Sequence, residues 1–241
     1  MPRPAHPPLQ AQSLPRPPTR TASVLGLLLL VLAPLLTVGW IGEEVLEQER
    51  FVFESPLMFW IHAHTTPGLL HLSTVLHVLG GPEVMGTVFV LVTAALWFRE
   101  RAQALFALCA LGGSVVLNAL MKLVFHRPRP ELWPRAVVEN GASFPSGHSM
   151  FAAALWSVVT LLLWRTPWRW PVLGLGVAYC LLMGGSRLVL GVHCPTDVLA
   201  GLLTGLAWVY GVWALLGCPG SLRSQAAVIR HPRARAMLDH E

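Results

Sequence analysis

Six long apolar runs decide what this chain can fold into. They fall at residues 21–41, 84–98, 102–121, 148–164, 170–186 and 198–218, and none contains Asp, Glu, Lys or Arg. A helix that crosses a bilayer needs about 20 predominantly apolar residues, within a working range of about 17 to 25. The second run is short, and reaches that range when extended back to about residue 79 with Glu83 at the interface. Hydrocarbon offers no water to unpaired backbone groups, so such runs span as helices that satisfy their own N–H and C=O groups. Only 12% of residues are charged, against about a quarter in a soluble domain. The expected fold is therefore all-α, a polytopic bundle of six transmembrane helices. Trp40, Trp97, Trp164 and Trp170 stand at the ends of runs, where indoles suit the headgroup layer.

The first run follows arginines, as a secretory signal would. Its apolar part is long and "TVGWIGEE" offers no small-x-small cleavage site, so it reads as an uncleaved anchor. With a cytoplasmic N-terminus, Arg3, Arg16, Arg20, Arg99, Arg101, Arg165, Arg169, Arg223, Arg230, Arg233 and Arg235 are inside, while Arg50, Lys122, Arg127, Arg129, Arg135 and Arg187 are outside. The inside excess places both termini in the cytoplasm. Residues 1–20, with seven prolines and three arginines, read as a disordered tail, and 219–241 as a second cytoplasmic tail flanking a membrane domain at 21–218.

The net charge of +5 is divided among loops and tails. It forms no basic face, which argues against a nucleic-acid partner. Cys109, Cys180, Cys194 and Cys218 show no paired spacing, so neither a zinc site nor a disulfide framework is indicated. Between the first two runs, Leu69, Leu72, Leu76 and Leu79 recur at three- and four-residue spacing, the mark of a short amphipathic helix at the membrane interface. His62, His64, His71 and His77 nearby have no carboxylate spaced with them as a ligand set, and read as interfacial side chains.

The outside cations need a reason to be there. Lys122, Arg127, Arg129, Arg135, Ser146 and His148 lie in or beside one outer loop, and Arg187, His193 and Asp197 in or beside another. Fixed cations around two histidines make an anion site. "PSGH" at 145–148 has the features of a helix start, in which Ser146 caps and Gly147 lets a ligand approach the free N–H groups. Asp197 follows His193 by four positions, with Pro195 suited to a helix first turn between them. It is either the carboxylate that fixes the imidazole tautomer or simply a helix N-terminal acid.

Three groups carry a resemblance. Lys122 is followed after six residues by Arg129-Pro130, then come Pro145-Ser146-Gly147-His148, then Ser186-Arg187, five residues, His193, three residues and Asp197. This resembles the three-part signature of the type 2 phosphatidic acid phosphatase superfamily, in its bacterial six-span form. The resemblance implies that Lys122, Arg129 and Arg187 hold non-bridging phosphate oxygens, with Ser146 and the N–H of Gly147 as further donors. His193 would attack phosphorus to give a phosphohistidine, and His148 would protonate the leaving oxygen and then activate water. Asp197 would orient His193. Arg129, not Arg127, stands at the family spacing. His126 and Cys194 receive no role.

The expected activity is metal-independent hydrolysis of a lipid phosphate or diphosphate in the bacterial inner membrane. The site would face outward, and the substrate's tails would remain in the bilayer. A two-metal phosphatase needs clustered carboxylates, and the chain has two aspartates, Asp197 and Asp239. No cofactor is implied. Undecaprenyl diphosphate leads, with phosphatidic acid, phosphatidylglycerol phosphate and lipid A phosphates as alternatives. A phosphotransferase on the same fold would pass the phosphoryl group to an acceptor other than water. A transporter would keep its charges at mid-membrane, whereas these stand at the ends of runs. A vanadium haloperoxidase shares the signature, but those relatives are soluble. Oligomeric state is not written in the residues.

Overall fold

The computed structural model describes residues 20–48 and 51–216. The two expected tails, 1–20 and 219–241, fall outside these residues apart from Arg20. Every regular element among the described residues is helical. Helix α1 spans Arg20–Leu46, α2 Glu54–Ala63, α3 Pro67–Leu79 and α4 Pro82–Trp97. A continuous rod then comprises α5, Arg101–Ala107, a π-helical turn at Leu108–Gly112, and α6, Gly113–Phe125. The last three are α7, Gly147–Leu163, α8, Arg169–Val189, and α9, Pro195–Leu215.

Local chemistry sets the boundaries. Thr66 caps α3 by accepting from the Leu69 N–H, and Pro67 follows as its first residue. Pro82 opens α4 behind Gly80 and Gly81, so the second apolar run is broken where proline removes an N–H. Ser146 caps α7 and Pro195 opens α9. His126 ends α6 in the left-handed region, at φ 45°.

Each of the six apolar runs forms a helix, but by length and composition four can cross a membrane alone, or five if α3 and α4, bent by 50°, are one span. The shortfall has two causes. The second span is broken at Gly80–Pro82, and α7 is a shorter apolar helix of 17 residues. The amphipathic segment at 69–79 is α3, and it packs on α8. Helix α2 lies in the same connection between the first two runs, where periodicity predicts only the helix at 69–79.

The bundle is centred on α9, which packs against α7 and α1, with α8 beside α7. One core cluster joins Phe106, Ala110, Leu111, Phe151, Val158 and Val209, and a second joins Val38, Ile41, Val45, Phe144 and Ala200. Leucines of α1 such as Leu29 and Leu36, and Val116, Leu120 and Leu123 of α6, face outward. Such an apolar exterior suits lipid rather than water. The Trp208 indole N–H lies 3.2 Å from the Cys109 carbonyl and 3.0 Å from that of Ala110, covering the disturbed hydrogen bonding of the π-helical turn.

Helices α7 and α9 touch through backbone. A Cβ on Gly201 would meet the Ser146 carbonyl oxygen at 2.5 Å, and one on Gly205 would meet that of Met150 at 2.3 Å. This is the small-xxx-small mode of membrane-helix packing. Gly205→Ala therefore drives the helices apart and costs about 1–3 kcal/mol, the usual range for overpacking. Thermal unfolding in detergent measures it, with Gly211→Ala, which meets nothing within 4 Å, as the control.

Candidate active site

The three signature segments converge where α6, α7 and α8 end or begin. Lys122 sits in the last turn of α6, Ser146 and Gly147 open α7, Arg187 is near the end of α8, and Asp197 lies in the first turn of α9. The loop from 126 to 146 carries Arg129 over the top. Lys122, Arg129, Gly147, His148 and His193 line one cavity of about 780 Å³. Its polar end gives way to apolar walls that include Met85, Phe89 and Phe151.

Two basic groups and both signature histidines meet at one carboxylate, Glu139. Its oxygens lie 2.7 Å from Arg129 Nη1 and 3.0 Å from Arg187 Nη1. They are 3.5 Å from His193 Nε2 and 3.8 Å from His148 Nδ1. His77 of α3 joins them, its Nδ1 being 3.1 Å from Glu139 and 2.9 Å from Arg187 Nη1. Burial alone would raise the Glu139 pKa. The neighbouring His193 and His148 rings and the Arg129 guanidinium instead hold it far below the usual carboxylate range.

The guanidinium groups are fixed from behind. Arg187 is fully buried, and its Nε and Nη2 donate to Ser186 Oγ at 3.2 Å each. Arg129 donates to the carbonyls of Val192, Asn140 and Gly141, so it also holds the loop segment that bears Glu139. Such pre-set forks lose little freedom on receiving an anion. At the start of α7, Ser146 acts as the expected cap, accepting from the Ser149 N–H at 3.5 Å and the Ser149 hydroxyl at 3.1 Å. Its own hydroxyl is buried and turned into the helix.

His193 is 1% exposed. Its Nε2 faces the anion seat, 3.1 Å from Arg129 Nη1, and its Nδ1 faces Asp197 Oδ2 at 3.5 Å. That separation is longer than a good hydrogen bond. His148 stacks on His77 with ring centroids 5.4 Å apart, and its Nε2 is 3.2 Å from the His77 carbonyl oxygen. Its Nδ1 is therefore the nitrogen turned toward the seat.

A second ionic group backs the first. Asp197 accepts from the Cys194 N–H at 2.8 Å and from Arg127 Nη1 at 2.6 Å. The other arm of Arg127 reaches Glu54 of α2 at 2.7 Å, and Thr196 donates to Glu54 as well. Arg127 thus stands behind Asp197, and Arg129 in the anion seat. Burial would lower the Arg127 pKa, but Asp197 and Glu54 hold its charge more firmly than water does.

Glu54, His77 and Glu139 were not singled out for this site from sequence. The available signal for Glu139 was its place as one of two acids in a cation-rich loop. His62, read as interfacial, stacks on Trp133 at 4.2 Å and ties that loop to α2. His77, Glu139 and His148 offer ligand atoms within 4.8 Å of one another. Arg187 already donates to the first two, so a fixed cation bridges the place a metal would take.

The chain resembles known proteins in sequence and in fold. The sequence model of the PAP2 superfamily matches residues 102–217. Phosphatidylglycerophosphatase B of Bacillus subtilis is 30% identical over 171 residues, 68% of this chain and 78% of that protein. Undecaprenyl-diphosphatase of Sulfolobus acidocaldarius is 36% identical over 101 residues, 40% of this chain and 46% of that protein. The crystal structure of the transmembrane PAP2-type phosphatidylglycerolphosphate phosphatase from Bacillus subtilis superposes with a TM-score of 0.64 at 27% identity, covering 79% of this chain and 94% of that one.

Proposed function

Because the chain belongs to the PAP2 superfamily and is a membrane-embedded phosphatase of that family, we propose that it removes phosphate from a lipid phosphate or diphosphate through a phosphohistidine on His193, without a metal or cofactor. The observation that carries this reading is the meeting of Arg129, Arg187, His148 and His193 on one carboxylate, Glu139, whose two oxygens stand in for two oxygens of a phosphate. Lys122, lining the same cavity, adds a third cation, and the Gly147 N–H at the start of α7, with Ser146 as its cap, adds a donor.

The neutral His193 ring with its proton on Nδ1, toward Asp197, leaves the Nε2 lone pair aimed at the seat. That nitrogen attacks phosphorus. The new bond is P–Nε2, the bond to the leaving oxygen breaks, and protonated His148 gives that oxygen its proton. Neutral His148 then takes a proton from water, the water oxygen bonds phosphorus, and the P–N bond breaks. Charge builds on the equatorial oxygens in both steps, where Lys122, Arg129 and Arg187 are pre-set.

The apolar walls beside the polar end favour an amphiphile over a free sugar phosphate. Undecaprenyl diphosphate remains the leading substrate, with the named archaeal relative in support. Phosphatidylglycerol phosphate is the second reading, favoured by the long match to the bacterial phosphatase of that name. The excess of arginines in the inner segments supports a site at the outer face, with cytoplasmic termini. Purified protein given undecaprenyl diphosphate, phosphatidylglycerol phosphate and phosphatidic acid in chelator should release phosphate at an undiminished rate, fastest from the physiological lipid. Release from none of them, or only after metal is restored, overturns the reading. In isotopically labelled water, label in the released phosphate marks hydrolysis, and its absence marks transfer to another acceptor.

A further inference from the structure

We propose that Glu139 is a specificity residue, a built-in anionic plug that keeps singly charged phosphodiester headgroups out of the seat and yields to a doubly charged terminal phosphate. The inference rests on the phosphate-site reading above and adds what the site must reject. A lipid phosphatase works among phospholipids whose diester phosphates resemble its substrate and far outnumber it. Both kinds of headgroup carry phosphoryl oxygens that fit two guanidinium forks. They differ in charge: a diester carries one negative charge, and a terminal phosphate between one and two near neutral pH.

The geometry supplies the comparison. The Glu139 carboxylate already makes a 2.7 Å contact with Arg129 and a 3.0 Å contact with Arg187, and closes on His77 at 3.1 Å. A diester entering the seat exchanges one negative charge for one negative charge. It also loses a ligand tethered to the chain, held in place by Arg129 through the Asn140 and Gly141 carbonyls. A dianion brings additional charge into a cluster of fixed cations, where close pairs interact strongly. The carboxylate is held ionised by its neighbours, so the plug keeps its charge over the range in which the enzyme would work. It does not need a hinge between domains. Val138 and Asn140 on either side are exposed, so the side chain can turn outward with its short loop segment.

The test uses the full-length protein in detergent micelles, with orthovanadate, at a pH above the pKa at which it becomes a dianion, as the dianionic probe and phosphatidylglycerol as the diester. Glu139→Gln keeps the shape and removes the charge. Its vanadate affinity should rise about tenfold or more. Phosphatidylglycerol in the micelles, nearly inert toward the wild type, should become a competitive inhibitor of vanadate binding. Glu139→Asp, with the charge drawn back by one methylene, should fall between the two. Thermal shift on adding vanadate provides a readout that needs no turnover, so a variant with poor catalysis still reports. Equal or weaker vanadate binding by Glu139→Gln, or unchanged indifference to phosphatidylglycerol, overturns the proposal while leaving the phosphate site intact. Failure of both wild type and variant to bind vanadate overturns the site reading and the plug with it.

Discussion

His193→Ala should leave the purified protein with phosphatase activity lower on the order of 10⁴-fold or more, the scale seen when a covalent nucleophile is removed. The reason lies in what remains. The cations Lys122, Arg129 and Arg187 stay in place, so substrate still docks, and the loss falls on turnover rather than binding. No other side chain takes over the attack. His148 points a nitrogen at the seat, yet its proposed part is proton transfer, and its ring is held against His77. Cys194 is adjacent in sequence, but burial, with Asp197 nearby, pushes its thiol up to about 12, so it stays a protonated, weak nucleophile. Vanadate binding by the variant, read as a thermal shift, distinguishes a lost nucleophile from a lost fold. Activity within about tenfold of wild type would remove the phosphohistidine from the mechanism.

The signature residues were legible because their order and spacing resemble a known family's signature; the fold supplies the geometry behind that spacing. Lys122 on the last turn of α6 and Arg129 seven positions on can meet one anion only if the chain turns at once, and His126 makes that turn. Asp197, four positions after His193, reads equally as its partner or as a helix N-terminal acid, and the fold brings the two side chains to 3.5 Å. The partners that complete the site come from far away in sequence. Glu139 meets Arg187 across 48 residues, and Glu54 meets Arg127 across 73. A single carboxylate in a polar loop looks solvated when read alone. Only folding reveals that each acid neutralises a guanidinium. The same limit hid α2, whose ten residues carry no strong periodicity but deliver Glu54. The second run, extended back to residue 79, passes through Gly80-Gly81-Pro82, yet these residues break it, and the break lets α3 bring His77 to the seat.

Arg127→Met should cost about 3–5 kcal/mol of stability, the range for removing one partner from a buried ion pair. The two carboxylates it serves explain the size. Asp197 is fully buried and Glu54 is 5% exposed, and Arg127 meets them through separate nitrogens at 2.6 and 2.7 Å. Methionine fills much of the volume but leaves two buried negative charges without their shared cation. Arg127→Lys is no rescue, because one ammonium cannot reproduce a fork aimed at two acids. The double variant Arg127→Met with Glu54→Gln should recover part of the loss, since it removes one stranded charge, and the recovered amount is the coupling between the two residues. Denaturant or thermal unfolding of all four forms measures it. Turnover adds an independent reading. Without Arg127, Asp197 holds its carboxylate less firmly against the Cys194 N–H and toward His193, so kcat should fall while vanadate affinity, set by Arg129 and Arg187, changes little. A single variant that unfolds like the wild type, or a double variant no better than the sum of its parts, would mean that Arg127 is not what holds the nucleophile's orienting acid in place.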